Sequence, residues 1–182
     1  MAIPSFDCIH AVRFDLPRGT VHAKGDSERI VLVPAAALDN LLREAPAAAA
    51  DAFAAALGAA VGHRVASRLA DAQTASVDSF VTQLAGEAAI AGVGAVAVES
   101  WGRALVVVVS GSPLADSVLL AFVTSAIEAA CGLRPVCTLL ARDHGTSRIF
   151  AGSQTGVDRL RASLASGLSW ADAIERLNRG ES

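Results

Sequence analysis

The run Leu105-Val106-Val107-Val108-Val109 is apolar without alternation. A strand with one wet face alternates apolar and polar side chains, because successive residues point to opposite faces of the sheet. An unbroken apolar run therefore predicts a strand covered on both faces. Gly111-Ser112-Pro113 breaks it on one side. On the other, Trp101-Gly102 joins it to Ala95–Ser100, a hairpin signal. A second hairpin is expected from Val136–Ala141 and Ser147–Ala151 around the turn formers Asp143-His144-Gly145-Thr146.

Helices surround these strands in the chain. Pro46 and the alanines after it predict a long helix over about Ala47–Ala72, since alanine is the best helix former. Phe53, Leu57, Val61, Val65 and Leu69 recur along it every four residues as an apolar stripe. Ala54, Gly58, Gly62 and Ala66 make a second, small-residue row at the same spacing. Glycine inside a helix costs roughly 1 kcal/mol relative to alanine, so this row implies close approach of another helix or of a ligand. Ser76 is placed to cap a helix carrying Phe80, Val81, Leu84 and Ala88, which Gly92 and Gly94 end. Asp116 or Ser117 opens another, with Leu119, Leu120, Phe122, Val123 and Ile127, ended by Gly132.

The two ends of the chain read differently. At the start, Thr20–Ala23 and Arg29–Val33 are β-prone runs around Lys24-Gly25-Asp26-Ser27, and Pro34 begins a helix with Leu38, Leu41 and Leu42 on its apolar face. At the end, Leu160, Leu164 and Leu168 stand four apart, and Ser169 opens a short helix carrying Trp170, Ile174 and Leu177. The order of elements is that of an α+β fold with a mainly antiparallel sheet. Residues 1–152 are expected to form one domain, and 153–182 a helical appendage.

Hydrophobic residues make up 53% of the 182, which excludes a disordered chain. A net charge of -3 argues against nonspecific binding to nucleic acid or to an anionic membrane surface. The longest apolar windows fall short of the ~20 residues of a membrane span. Cys8, Cys131 and Cys137 are an odd set without framework spacing, and Met1–Ser5 lacks the pattern of a signal peptide. A cytoplasmic protein with reduced thiols is the expectation.

The residues offer little chemistry. Cys131 and Cys137 lie near His144 in sequence, with Asp143 placed to orient it, but Asp143-His144-Gly145 is also an ordinary polar turn. Cys137 falls in an apolar strand, where free cysteine behaves as a hydrophobe. No second Cys or His pair has zinc-site spacing. Gly92-Val93-Gly94 lacks the strand-before, helix-after context of a phosphate cradle. No enzyme activity, metal or cofactor is expected. What remains is an apolar pocket or a partner surface.

The stretch from Ala56 to Ala151 resembles the 4-vinyl-reductase-type hydrocarbon-binding domain, a relative of the TRAPP vesicle-tethering subunits. The likeness is carried by Leu57-Gly58, Gly62 and Leu69, by Ser76-Val77-Asp78-Ser79-Phe80, by Gly92–Gly94 before the hairpin, by Val106–Val109 ending at Ser112-Pro113, and by Leu120–Gly132 feeding a strand at Val136. It implies a TRAPP-like homodimer with helices packed over a twisted antiparallel sheet, an apolar cavity, and a regulatory or assembly role. Members of that family often carry a cysteine pair in the last hairpin. Here Cys137 stands with Ser147 in the second place, so the resemblance brings no metal site. From Ser76 onward the element order also resembles the roadblock domain, a dimeric regulator of small GTPases.

The leading expectation is a non-enzymatic homodimer that binds a small hydrophobic ligand or a partner protein. Val61, Val65, Phe80, Leu84, Phe122 and Ile127 are the candidate ligand-binding residues, as large apolar groups on three helices that must face one another. The alternative is a scaffold or dimerisation module with the C-terminal helices as its docking element. Leu160, Leu164, Trp170 and Ile174 would then meet the partner.

Overall fold

A computed structural model describes residues 5–24, 29–69 and 75–180 of the chain. Seven strands and six helices follow in the order β1 (Val12–Asp15), β2 (Thr20–Ala23), β3 (Arg29–Ile30), α1 (Ala35–Glu44), α2 (Ala47–Arg68), α3 (Val77–Ile90), β4 (Ala95–Trp101), β5 (Ala104–Ser110), α4 (Asp116–Cys131), β6 (Val136–Asp143), β7 (Thr146–Gly152), α5 (Gln154–Ala165) and α6 (Trp170–Arg179). The fold is α+β. Strands β1-β2-β3 form a small antiparallel sheet and β4-β5-β7-β6 a larger one, also antiparallel. The expected N-terminal strand pairing is present, with Val21 opposite Ile30, although β3 stops at Ile30 rather than Val33. The turn expected at Gly25, Asp26 and Ser27 and the helix end expected at Ala70–Ala72 lie outside the described residues.

Strand β5 is covered on both faces. Val107 and Val109 join a core with α2, α3 and α4, while Ala104, Val106 and Val108 join a second core with α5 and α6. This sandwich of helices, sheet and helices accounts for the missing alternation. The first core centres on Val61, Val65, Leu119, Phe122 and Ile149, all at most 1% exposed.

The small-residue row of α2 packs against α4. A Cβ on Gly58 would lie 2.3 Å from the Phe122 carbonyl oxygen, and one on Gly62 equally close to that of Ala126. Close approach of a helix is thus the reason for both glycines, and the ligand alternative falls away at these two positions. The apolar stripe beside the row is only partly inside: Val61 and Val65 are buried, whereas Phe53 is exposed.

Helices α2 and α3 are also joined by charge. Glu87 of α3 is 1% exposed, with Arg64 Nε donating to one carboxylate oxygen at 2.6 Å. Arg68 Nη2 approaches the other at 2.6 Å without the alignment of a hydrogen bond, and its guanidinium stacks over Phe6.

Capping follows the sequence with one exception. Ser76, Ser153 and Ser169 accept hydrogen bonds from the backbone N–H groups of Ser79, Gly156 and Asp172. Helix α4 instead starts after Ala115 without a side-chain cap, and Asp116 pairs with Arg142 at 2.7 Å. Pairing to β6 takes the carboxylate that would otherwise serve the helix end.

Candidate functional site

A pocket of about 510 Å³ opens between α3, the C-terminal end of α4 and the first-core face of the large sheet. Phe80 and Val81 form its α3 wall, Val98, Leu105 and Val107 its floor, and Ile127 and Cys131 its α4 wall. The loop Leu133-Arg134-Pro135 and the end of β7 at Ala151-Gly152-Ser153 complete it. Three lining residues, Val77 and Leu133 at the rim and Leu105 at the edge of the floor, are large apolar groups left 50%, 68% and 41% exposed. Apolar surface of this size at the mouth of an apolar hollow marks a binding surface.

Polar groups on the wall are few. Arg134 is the one charged side chain among the described lining residues, and it reaches Glu128 at 3.5 Å from the solvent side. Ser153 contributes a hydroxyl whose oxygen caps α5. Burial pushes the Cys131 thiol up from its ordinary range, which keeps it neutral.

The candidate ligand residues divide. Phe80 and Ile127 line the pocket. Val61, Val65, Leu84 and Phe122 belong instead to the packed interior between α2, α3 and α4 and are at most 3% exposed. The structure places these four in the core, where the glycines of α2 bring α4 close, rather than on the pocket wall. The pocket lies instead at the start of α3 and the end of α4, over the sheet. Its floor went unrecognised because Val98, Leu105 and Val107 read as ordinary strand residues. The sequence offers only Leu133, a large apolar residue in the loop between Gly132 and Pro135, as a signal.

The C-terminal candidates pack against the chain's own sheet. Leu160 and Ile174 are fully buried, with Leu164 and Trp170 packed against the same cluster. Their apolar stripe covers the second face of that sheet, with Leu164 and Trp170 left partly exposed. Asn178 of α6 ties that layer down, donating to the Trp101 carbonyl at 2.7 Å and accepting from Arg103 N–H at 3.1 Å. Beside it, Trp101 and Trp170 meet edge to face at 4.8 Å, and Arg148 stacks over Trp170 while pairing with Glu99. Trp101 Nε1 and Arg148 together hold the Glu99 carboxyl below its ordinary range.

Cys137 and His144 do not meet. Cys137 is buried near the start of β6, opposite Ala151, and His144 is exposed beyond its far end. At ~3.3 Å per residue the strand separates them by roughly 20 Å. Ser147 is opposite Arg142, at the His144 end of the hairpin. Among the described residues no three His, Cys, Asp or Glu side chains gather as a metal site. No helix among them is long and apolar enough to cross a membrane.

A wider hollow of about 700 Å³ lies on the N-terminal sheet, walled by Ile9, His10, Val12, Arg13 and Phe14 with Ala23 and Lys24. It is a surface concavity of one thin layer, not a space between layers.

Fold and pocket together define an α+β domain with an apolar hollow between its helices and its sheet. No family model and no curated protein matches the chain. Among solved structures it is similar to the phenol-responsive sensory domain of the transcription activator PoxR, crystallised with phenol. The two superpose with a TM-score of 0.64 over 87% of this chain and 92% of that one, at 16% identity. At that identity the likeness establishes a shared fold.

Proposed function

We propose that this chain is a non-enzymatic regulatory or assembly module that binds a small hydrophobic ligand in the pocket between α3, α4 and the sheet. The observation that carries this reading is the pocket itself: an apolar hollow of about 510 Å³ with an exposed apolar rim and, among the described residues, a single charged side chain on its wall. Its volume falls in the ~300–1,000 Å³ range of small-molecule sites. The shared fold with a phenol-responsive sensory domain supports it. The ligand reading is preferred to the scaffold alternative because two of the four docking candidates, Leu160 and Ile174, are buried within the chain.

A homodimer belongs to the same proposal. Phe14 and Leu16 at the small sheet, Val31, Leu32 and Val33 after it, and Leu41 on α1 are all exposed. A second copy covering them would give a three-stranded sheet of short strands the packing it requires.

Calorimetric titration with octanol and with phenol tests the ligand reading. Wild-type protein should bind at least one of them saturably at one site per chain. Val77→Trp, placed at the exposed rim so that the core is untouched, should abolish that binding without loss of helical signal. Absence of binding by wild-type protein, or full binding by Val77→Trp, would overturn it. Light scattering on the eluting protein tests the dimer: a mass of one chain would exclude it.

A further inference from the structure

We propose that the ligand of this pocket is amphipathic, an apolar body ending in a carboxylate or similar anion, and that Arg134 holds the anionic end at the mouth. This rests on the hydrophobic-ligand reading above and adds the chemistry of the ligand's head and the residue that selects it.

Size is the first consideration. A dry cavity of about 150 Å³ holds one benzene ring. The pocket here is about 510 Å³, room for a body well beyond a single ring. Its deep wall, made of Phe80, Val81, Val98, Val107 and Ile127, offers no polar side-chain partner. A charged head buried there would be strongly disfavoured, so it has to remain at the opening.

Charge decides what the opening accepts. No carboxylate belongs to the described wall, and Arg134 supplies its one formal charge. The Arg134 side chain is 82% exposed and its pairing with Glu128, at 3.5 Å between exposed groups, contributes little. The guanidinium is therefore open to exchange that partner for a ligand carboxylate, which it matches with two parallel N–H donors. Gly132, in the left-handed region at φ 69°, and Pro135 fix the short loop that carries it beside the pocket. Ser153 adds a hydroxyl on the same wall.

Titration of wild-type protein and Arg134→Gln with octanoate and octanol, at one ionic strength, tests the proposal. Octanoate should lose affinity by about fivefold or more in Arg134→Gln, equivalent to roughly 1 kcal/mol, while octanol binding stays unchanged. Equal losses for the two probes, or none for octanoate, would overturn the assignment of Arg134 and leave the hydrophobic-ligand reading standing. Failure of both probes to bind wild-type protein would overturn the present proposal. Failure of octanol and phenol together would overturn the reading beneath it.

Discussion

Gly62 on α2 lies directly beneath the main chain of α4: a Cβ at this position would be 2.3 Å from the Ala126 carbonyl oxygen and 3.0 Å from the Ala130 nitrogen. Both neighbours are backbone, so neither can swing aside. Alanine gains about 1 kcal/mol of helix propensity over glycine. Forcing two packed helices apart costs about 1–3 kcal/mol and more where backbone is met. Gly62→Ala should therefore destabilise the protein by about 2 kcal/mol in denaturant titration, against the sign that propensity alone predicts.

Phe122 supplies the largest fully buried side chain of the first core. Phe122→Ala should lower the unfolding free energy by about 3–5 kcal/mol. An unchanged midpoint would mean that α4 does not pack on α2 as described.

Glu87 is the buried link between Arg64 and Arg68. Removing one member of a buried ion pair leaves the others uncompensated, at a cost of about 3–5 kcal/mol. Glu87→Ala should fall in that range. Arg43→Ala, which breaks an exposed pair with Asp39, should cost under about 1 kcal/mol in the same titration.

Glu99 is held below its ordinary carboxyl range by hydrogen bonds from Trp101 and then from Arg148. A depressed folded-state value favours folding above the unfolded pKa, near 4.5, and that contribution is lost as pH falls through the folded value. The stability difference between wild-type protein and Glu99→Gln should thus be constant from neutral pH down to about 5 and shrink below it. A difference that grows on acidification would reverse the sign of this coupling.

Thiol reactivity reports on the pocket. Cys8 is exposed, while burial raises Cys131 and Cys137. The thiolate is the reactive form, so iodoacetamide at mildly alkaline pH should label Cys8 first. Octanol should slow labelling of Cys131, which lines the pocket, and leave Cys8 unaffected.

Strand β5 and the glycines of α2 were legible because each breaks a local rule: five apolar residues without alternation, and two glycines where alanine would suit a helix. Such departures have few structural solutions, and the cover on both faces and the close helix crossing supply them. The pocket was half legible. Phe80 and Ile127 were within reach of helical periodicity, but the same periodicity selected Val61, Val65, Leu84 and Phe122, since a core face and a pocket face look alike along one helix. What separates them is which residues of the other elements stand opposite, a tertiary property. The tail carries a related ambiguity. An amphipathic stripe at Leu160, Leu164 and Ile174 states only that something apolar covers it, and the second face of β5, with Val106 and Val108, was waiting for that layer.

Methyl-resolved NMR on protein labelled at isoleucine, leucine and valine, titrated with octanol, addresses the central claim most directly. Shifts concentrated at Val81, Val98, Leu105 and Ile127, with Leu160 and Ile174 across the sheet unmoved, are the expected result. Saturating octanol that leaves Ile127 and Leu105 unperturbed, or that shifts Leu160 and Ile174 instead, would contradict a ligand site between α3, α4 and the sheet.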